Sequence, residues 1–353
     1  MADLIVAGAG MAGLVAAAHA SESGADVVVY EKGTRAGGAM LLSSGVVWRY
    51  RDFARFRQEC PAGDADLQLL VHDHLDGDLD WLERAGAAVV DRSTGNPATV
   101  GVRFRTRSLT DALVRRAGDV RLGEPLREPP DGVPVVLATG GFQADAGLVR
   151  EHITPHADAL FLRATPWSTG DGLRLGVGAG ARTTDGLDEF YGRNMPAPPA
   201  RVGEADFVSL AQLYAHHAVI ESESGARYEP RTWSEIDVVQ WTARQPQARA
   251  RYRVGKAGLR ARVRGRTVAE MIAAAERAGA TVTRDRATVT VEVIAGITTT
   301  LGGLRIDVHG RAAPGVYVAG ADAGGISTGG YASGLAAALV VGRIAAASAL
   351  EGR

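Results

Sequence analysis

The first 33 residues contain the pattern that most restricts what this chain can fold into. Residues 4 to 7 form a short apolar run, and residues 27 to 30 form a second one that ends in Glu31. Between them lies a helical stretch, preceded by three glycines at GxGxxG spacing: Gly8, Gly10 and Gly13. Because buried parallel strands are continuously apolar, this order predicts a βαβ unit with a glycine turn after its first strand.

The glycine turn predicts a dinucleotide site, with a tight structural turn as the alternative. Gly8 permits the sharp turn, Gly10 lets the backbone approach a pyrophosphate, and Gly13 lets the helix pack on the strand. The helix is predicted over Leu14 to Ala20, and its N-terminus presents free N–H groups and a partial positive charge to phosphate. Met11 and Ala12, within the glycine turn, are also expected to contact the cofactor. The acid that ends the second run is placed to accept hydrogen bonds from a ribose diol.

A second signature lies near the other end of the chain. Residues 314 to 325 read PGVYVAGADAGG, an apolar strand that runs into Gly320 and Asp322. Neither signature makes a complete nucleotide fold by itself. We therefore expect the nucleotide domain to be assembled from both ends of the chain and to bind a flavin dinucleotide.

The segment after the second strand resembles a known family. Residues 31 to 48, EKGTRAGGAMLLSSGVVW, are similar to the EKxxxxGGxxxxSGGxxW segment of the FAD-dependent fumarate reductase and succinate dehydrogenase flavoproteins, which include the 3-ketosteroid dehydrogenases. The resemblance implies that this segment follows the flavin; a Gly/Ser-rich loop is the alternative. The positions implied are Lys32, Gly37, Gly38, Ser43, Ser44 and Gly45. No histidine lies between His19 and His72, so the resemblance implies non-covalent FAD.

Further family segments extend the resemblance along the chain, in a shortened form. Residues 133 to 142 resemble the family's ATGG strand, which implies FAD contacts from Ala138, Thr139 and Gly140. Residues 168 to 181 resemble its NTGDG segment, in which Asp171 is either a helix cap or a flavin-site residue. Residues 298 to 307 resemble the stretch that precedes the second nucleotide signature.

The predicted fold is α/β, with a Rossmann-like FAD-binding domain split over both chain ends. We expect this domain to comprise residues 1 to 142 and 297 to 353. Residues 143 to 296 lack regular strand–helix alternation for most of their length, which predicts an inserted α+β substrate cap.

Two positions depart from the fumarate reductase pattern. Ile236 stands where that family has a proton-donating arginine, and Thr299 stands where it has a histidine that binds the substrate carboxylate. An aliphatic side chain cannot donate a proton or pair with a carboxylate. Dicarboxylate reduction is therefore disfavoured, although three arginines offer substitutes: Arg193, Arg227 and Arg231.

Residues 329 to 339, GGYASGLAAAL, resemble the YxSG segment of the Δ4-(5α)-3-ketosteroid dehydrogenases. This implies catalytic roles for Tyr331 and Ser333, whose side chains point to one side of an extended backbone. The alternative is a packing tyrosine and a helix-capping serine. The following helix, beginning with Gly334 and Leu335, would place its N-terminus at the flavin. A further hydroxyl is expected from the cap, with Tyr191 and Tyr214 as candidates.

The net charge and the cysteine count of the chain limit the kinds of binding partner and cross-link to be expected. The formal net charge of −1 gives no electrostatic reason to expect nucleic acid or an anionic membrane. The single cysteine, Cys60, cannot form an intrachain disulfide. We expect a cytoplasmic protein without a signal peptide, and the abundance of arginine, alanine and glycine suggests a GC-rich bacterial source. The apolar stretch near the C-terminus is interpreted as a core helix.

No metal site is expected. The pair His72 and His74 lacks a third ligand nearby, and the alternating acids that follow lack the spacing of a calcium loop. The sequence also contains no second glycine-rich nucleotide motif, so the electron partner is left unspecified.

These observations predict a FAD-dependent oxidoreductase that acts on CH–CH bonds of a small-molecule substrate. The first hypothesis is α,β-dehydrogenation of a cyclic or polycyclic ketone, in a biosynthetic pathway. One alternative is a fumarate-reductase-type reduction of an unsaturated acid or enone. The other is a protein that binds FAD structurally or for a non-redox reaction.

Overall fold

A computed structural model describes residues 2 to 352, which form two compact units. The first unit comprises Met1–Asp145, Thr165–Glu189 and Thr299–Arg353. The second comprises Ala146–Ala164 and Phe190–Thr298. The first unit is therefore built from both ends of the chain together with one internal segment.

The elements of the first unit, numbered in chain order over the whole protein, alternate between strand and helix at the start. The strands are β1 (Leu4–Ala7), β2 (Val27–Glu31), β3 (Val46–Tyr50), β4 (Val89–Asp91), β5 (Thr99–Phe104), β6 (Asp119–Leu122), β7 (Val135–Leu137), β17 (Arg311–Ala313) and β18 (Val316–Val318). The helices are α1 (Met11–Glu22), α2 (Gly38–Leu41), α3 (Phe53–Glu59), α4 (Ala65–Arg84), α5 (Thr106–Val114), α7 (Asp171–Gly178) and α11 (Gly334–Glu351).

The main sheet of the first unit has six strands in the order β17-β18-β7-β1-β2-β6. All neighbours are parallel except the edge pair β17 and β18. Every residue of β1, β7 and β18 is buried, as expected for the centre of a parallel sheet. The strand from the C-terminal segment thus pairs with a strand from the N-terminal segment, as the two signatures predict.

Helix α11 packs against α1 through small residues. A Cβ added to Gly342 would lie 2.8 Å from the carbonyl oxygen of Ala12, so the two backbones approach closely. By length and composition alone α11 could cross a membrane. In this structure most of its side chains are buried, and it serves as a core helix of the first unit.

A smaller antiparallel sheet of the first unit has the order β3-β5-β4. Its strand β3 carries Trp48 and Tyr50, which have a residue between them and so project from one face of the strand. Their rings meet edge to face with centroids 5.2 Å apart. Both aromatic residues also contact Tyr331, which precedes α11.

The second unit is a mixed α+β structure. Its strands are β8 (Phe161–Leu162), β9 (Phe190–Pro196), β10 (Val219–Glu221), β11 (Arg227–Tyr228), β12 (Arg249–Gly255), β13 (Arg262–Val263), β14 (Arg266–Thr267), β15 (Val282–Arg284) and β16 (Thr288–Thr300), whose last two residues belong to the first unit. Its helices are α6 (Ala146–His152), α8 (Ile236–Ala243), α9 (Lys256–Arg260) and α10 (Val268–Arg277).

The sheet of the second unit is organised around the long strand β16. Strands β11, β10, β12, β16 and β15 are neighbours in that order, and β8 and β9 also pair with β16. The core beneath them contains Tyr214, Tyr252, Met271 and Val291, each 1% exposed or less. Strands β13 and β14 form a separate hairpin.

The second unit begins at Ala146 and ends at Thr298, within three residues of the predicted cap of 143 to 296, but it lacks one internal segment of that prediction. Residues 165 to 189 belong to the first unit. The reason is local bonding: the backbone N–H of Gly172 donates to Thr139 Oγ1 at 2.8 Å, and that of Ala144 donates to the carbonyl of Ser168. The NTGDG-like segment is therefore part of the nucleotide unit and not of the insert.

A buried ion pair between α4 and α11 provides a test of this packing. Asp78 on α4 is 6% exposed and pairs with Arg343 on α11. Burial raises the pKa of Asp78, and the neighbouring guanidinium opposes that rise. Because Asp78→Asn leaves a partly buried guanidinium without its anion, we expect the free energy of unfolding to fall by about 3 kcal/mol.

Urea unfolding monitored by circular dichroism measures this loss. The matched control is Asp119→Asn, which removes an ion pair to Arg121 at a position 54% exposed. An exposed pair contributes little, so the control should change stability by less than about 0.5 kcal/mol. Equal effects of the two substitutions would contradict a structural role for the α4–α11 pair.

Candidate functional site

The glycine turn after β1 has the geometry that the sequence predicts. Gly8 has a φ of 101°, and a Cβ there would lie 2.2 Å from the carbonyl oxygen of Ala138. A Cβ on Gly13 would lie 1.9 Å from the carbonyl oxygen of Gly8. A Cβ on Gly10 would meet nothing within 4 Å, and its φ of −80° suits any residue. Gly8 and Gly13 are therefore required by the fold, whereas Gly10 borders open space.

Glu31, at the end of β2, holds this turn in place. Its Oε2 accepts a hydrogen bond of 2.7 Å from the backbone N–H of Ala9, and its Oε1 accepts one of 2.6 Å from Gly33. Each carboxylate oxygen has a second lone-pair direction. The predicted contact with a ribose diol is compatible with these bonds and stays a prediction.

The glycine pair that follows packs directly on the first turn. The N–H of Gly37 donates to the carbonyl of Ala9 at 2.7 Å, and a Cβ on Gly38 would lie 3.2 Å from the Cα of Gly10. Both glycines have positive φ, 106° and 49°. Gly37 and Gly38, which the resemblance assigns to the cofactor site, therefore lie beside Gly10.

Ser43, Ser44 and Gly45 form the turn between α2 and β3. Ser43 Oγ donates to the carbonyl of Met40 at 2.8 Å and accepts from the N–H of Gly45 at 3.0 Å. A Cβ on Gly45 would lie 2.2 Å from the carbonyl oxygen of Phe104. These residues therefore have structural roles in the turn, and their predicted flavin contacts remain untested.

A buried carboxylate joins the two halves of the nucleotide unit. Asp322, which follows β18, is 1% exposed, and its side chain accepts hydrogen bonds from the backbone N–H groups of Thr139 and Gly141, the latter at 2.9 Å. Thr139 Oγ1 also donates to it at 3.2 Å. Burial raises the pKa of Asp322, and these hydrogen bonds oppose the rise. The carboxylate holds the turns after β7 and β18 against each other.

Three glycine-containing turns therefore lie at one edge of the parallel sheet. Strands β1, β7 and β18 run in the same direction, and each is followed within two residues by a turn, at residues 8 to 10, 139 to 141 and 320 to 322. Ligands of open parallel sheets bind outside the carboxyl ends of the strands. A Cβ on Gly320 would lie 2.9 Å from Ala12 Cβ, so the third turn also contacts the start of α1. Gly140, in the turn after β7, has a φ of 98°, which side chains other than that of glycine rarely allow.

Asp171 is the first residue of α7, whose N-cap is Gly170. The capping interpretation of Asp171 is therefore wrong. Its carboxylate instead pairs with Lys32, with Nζ and Oδ2 2.5 Å apart, and Lys32 Nζ also donates to Thr169 Oγ1 at 2.5 Å. The pair links the end of β2 to α7, since the two side chains come from segments far apart in sequence.

The structure brings Tyr331 and Ser333 to the same strand, β3. The Tyr331 ring lies 5.6 Å from that of Trp48, and its carbonyl accepts a hydrogen bond of 2.7 Å from the hydroxyl of Tyr50. Ser333 is the N-cap of α11, and its Oγ accepts from the N–H of Ala336 at 3.3 Å and of Trp48 at 3.4 Å. The capping interpretation of Ser333 is confirmed, and Gly334 and Leu335 are the first residues of the helix as predicted.

Sequence reasoning missed the residues that support this segment. Trp48 closes the family-like motif, and Tyr50 is two residues further along the same strand, which is the signal that could have identified it. Gln68 was also missed; its Nε2 donates to the carbonyls of Cys60 and Ile326 at 2.9 and 2.8 Å. No periodic pattern indicates that a glutamine on α4 contacts a turn 258 residues away.

The two cap candidates have different environments. Tyr214 is completely buried, its hydroxyl donates to Gln212 Oε1 at 2.7 Å, and its ring lies 5.6 Å from that of Tyr252. Burial raises its pKa well above the ordinary range. Tyr214 is thus a core residue of the second unit, and the prediction of a catalytic role is wrong. Tyr191, on β9, is half-buried beside the guanidinium of Arg193 and stays a candidate.

Within residues 2 to 352, no group of three or more histidine, cysteine or acidic side chains has the arrangement of a metal site. His72 Nδ1 lies 3.0 Å from a carboxylate oxygen of its neighbour Asp73. Cys60 is buried, and burial raises the pKa of its thiol to about 12, so it is inert as a nucleophile near neutral pH.

Comparison with known proteins agrees with this geometry. The profile of the FAD binding domain family matches residues 3–126 and 84–335. A cytochrome-type fumarate reductase of Shewanella frigidimarina is 26% identical over 234 residues, which cover 52% of this chain and 40% of that protein. The chain therefore matches less than half the length of this curated relative.

Solved structures share the fold over nearly the whole chain. An open conformation of a flavocytochrome c3 fumarate reductase has a TM-score of 0.72 at 20% identity, covering 99% of this chain and 78% of that one. A 3-ketosteroid-Δ4-(5α)-dehydrogenase from Rhodococcus jostii RHA1 has a TM-score of 0.73 at 18% identity, covering 99% and 96%. A 3-ketosteroid Δ1-dehydrogenase from Sterolibacterium denitrificans has a TM-score of 0.73 at 15% identity, covering 100% of both chains.

The fold and the three glycine turns define a dinucleotide-binding α/β protein. The chain belongs to the FAD binding domain family, and its cofactor is FAD. The residues present fit this group, because Gly10 leaves space at the edge of the sheet and the N-terminus of α1 follows directly. The sequence prediction of the fold class, the family resemblance and the cofactor is confirmed.

Gly10 offers a test that separates cofactor binding from folding. We expect Gly10→Ala to fold normally, because the new Cβ meets nothing within 4 Å, but to lose FAD affinity by about tenfold or more, because Gly10 is where a pyrophosphate approaches the backbone. The ratio of flavin to protein absorbance after dialysis measures this effect.

The matched control is Gly77→Ala on α4, where an added Cβ also meets nothing within 4 Å. It should retain FAD and gain about 0.5–1 kcal/mol of stability, since alanine is the better helix residue. Full FAD retention by Gly10→Ala would show that the cofactor does not approach this glycine.

Proposed function

We propose that the protein is a FAD-dependent oxidoreductase that acts on CH–CH bonds and dehydrogenates a cyclic or polycyclic ketone between its α and β carbons. The observation that carries the proposal is the segment before α11, where Tyr331 and Ser333 are both held on β3. The similarity to two 3-ketosteroid dehydrogenase structures supports it at the level of fold.

Each of the two hydroxyl residues has a chemical role in this reaction. Removal of a proton from the carbon next to a ketone needs a base, and the enolate that develops needs hydrogen-bond donors. Tyr331 is half-buried and offers a hydroxyl for either task. Ser333 Oγ accepts bonds from two backbone N–H groups, which leaves its own proton for donation to a carbonyl oxygen.

FAD, when bound, supplies the hydride acceptor, without a covalent bond to the protein. The N-terminus of α11, which Ser333 caps, favours negative charge nearby. An enolate oxygen and an electron-rich cofactor both benefit from that field. The local electrostatics therefore suit a reaction in which negative charge develops.

A second candidate is reduction of an unsaturated acid, which the sequence similarity to a fumarate reductase favours. Ile236 opposes it, because this buried residue at the start of α8 replaces the arginine that donates a proton in that family. Thr299 provides only a hydroxyl, which donates to the carbonyl of Thr300 at 3.3 Å. We therefore place ketone chemistry first. A cytoplasmic location in a bacterium and a small-molecule substrate are part of the same proposal.

Substitution of Tyr331 tests the proposal. Tyr331→Phe keeps the ring beside Trp48 and the backbone bond to Tyr50, so FAD content should not change. Loss of the proton-transfer group should slow substrate-dependent bleaching of the flavin by about 10²–10⁴-fold. Anaerobic stopped-flow absorbance with a saturated 3-ketosteroid measures the rate.

Tyr317→Phe is the matched control. Tyr317 is buried, and its hydroxyl donates to the carbonyl of Ser348 at 3.1 Å, near the opposite end of α11 from its N-cap Ser333. This variant should bleach at the rate of the unmodified protein. Unchanged bleaching in Tyr331→Phe would end the catalytic assignment. Oxidation of a reduced dye on addition of fumarate, with no bleaching of the flavin by ketones, would favour the second candidate.

A further inference from the structure

The turn that carries Tyr331 contains two glycines, Gly329 and Gly330, directly before the tyrosine. Gly329 has a φ of 82°, and a Cβ on it would lie 3.3 Å from Ala62 Cβ. A Cβ on Gly330 would lie 1.7 Å from the carbonyl oxygen of Glu59, the last residue of α3. The turn therefore packs closely on the end of α3, at a place where no side chain fits.

Both backbone polar groups of Tyr331 have partners. Its carbonyl accepts the hydrogen bond of 2.7 Å from the Tyr50 hydroxyl, and its N–H donates to the thiol sulfur of Cys60. Cys60 is completely buried, so water does not compete for that sulfur. The N–H of Gly330 donates to the carbonyl of Ser327 at 3.0 Å. The backbone of the tyrosine is thus held by β3 on one side and by the end of α3 on the other.

The amide of Gly329 is bound by a carboxylate. Glu189 Oε2 accepts a hydrogen bond of 2.8 Å from this N–H, although the two residues are 140 positions apart in sequence. Hydrogen bonds that involve an ionised group are roughly twice as strong as those between neutral groups. Glu189 therefore joins its own turn, residues 186 to 189, to the residues directly before Tyr331.

Glu189 is itself held in place through its backbone. Its N–H donates to the carbonyl of Gly186 at 3.0 Å, and its carbonyl accepts from the N–H of Leu301 at 3.0 Å. A Cβ on Gly186 would lie 2.8 Å from Thr328 Cγ2, so the same turn also packs on the residue before Gly329. The carboxylate is therefore presented to the tyrosine turn from a fixed position.

We propose that Glu189 is a positioning residue for Tyr331, and that its carboxylate fixes the location of the tyrosine hydroxyl by holding the amide of Gly329. This inference rests on the proposed function, since Tyr331 is the group that is positioned. A displacement of about 1 Å at a reacting group can lower a rate by roughly 10²-fold. A hydrogen bond two residues before the tyrosine therefore affects the reaction without touching the substrate.

Hydrogen exchange of the FAD-loaded full chain, read by mass spectrometry on peptides that span residues 327 to 333, tests whether Glu189 holds the turn. Glu189→Ala removes the acceptor, so exchange in this segment should become about tenfold faster. Glu189→Gln keeps an oxygen acceptor and should retain the protection. Asp185→Ala is the matched control, because it removes an exposed carboxylate from the neighbouring chain, and it should not change the exchange.

Anaerobic bleaching of the flavin by a saturated 3-ketosteroid tests whether this hold positions Tyr331. In Glu189→Ala the limiting rate should fall by about 10–10²-fold, whereas the FAD content and the half-saturating ketone concentration should not change. Glu189→Gln should restore most of the rate. In a Tyr331→Phe background Glu189→Ala should cause no further loss, because the hydroxyl that it positions is absent.

Unchanged exchange in Glu189→Ala would overturn the proposal, and so would faster exchange with an unchanged limiting rate. An equal further loss in the Tyr331→Phe background would also overturn it, because Glu189 would then act independently of the tyrosine. If no ketone bleaches the unmodified protein, the proposed function fails, and the exchange measurement, which needs no substrate, decides by itself whether Glu189 holds the turn.

Glu189→Asp keeps the test decisive if Glu189→Ala loses FAD. Its carboxylate is one methylene shorter and retreats from the amide of Gly329 while the charge is kept. It should therefore show faster exchange and slower bleaching than Glu189→Gln, which has the original length without the charge. The opposite order would show that the charge of Glu189 matters and its hold on the turn does not, and would overturn the proposal.

Discussion

The first unit depends on one buried carboxylate. Asp322 comes from the C-terminal segment, and the N–H groups that bind it come from the turn after β7. A buried carboxylate is tolerated only when hydrogen bonds replace its lost hydration. Because the bonds reach across 181 residues or more, the carboxylate fixes two remote turns at one edge of the sheet. Gly10, where an added Cβ would meet nothing within 4 Å, lies at the same edge.

Prediction from the sequence was most successful where backbone geometry dictates the residue. The apolar run at 4 to 7 is the strand β1, and Gly8 and Gly13 occupy positions that no Cβ could enter. Such requirements are local, so they are visible in a short stretch of sequence. The assembly of one nucleotide domain from both chain ends was also predicted, because each nucleotide signature was incomplete without the other, and β18 indeed pairs with β7.

Side-chain roles were predicted less well because they depend on remote partners. Tyr214 was a reasonable hydroxyl candidate by composition, yet its hydroxyl is used by Gln212 in a closed core. Asp171 was expected to cap a helix or to contact flavin, and it pairs with Lys32, which is 139 residues away in sequence; its flavin contact stays a prediction. Ser333 performs the capping role, and this does not conflict with donating its proton to a substrate. The spacing of residues in the sequence predicts contacts within one element, but it does not predict contacts between residues that only the tertiary structure brings together.

The split of the nucleotide unit also affects how the protein is made. Strand β18 extends the main sheet and helix α11 covers α1, yet both are synthesised after the elements on which they pack. Contacts between distant segments form slowly, because closing a long loop costs chain entropy before any contact compensates for it. The part of α1 that α11 covers therefore stays exposed until α11 has been synthesised. The FAD site, which includes the turn after β18, is complete only once the two segments have joined.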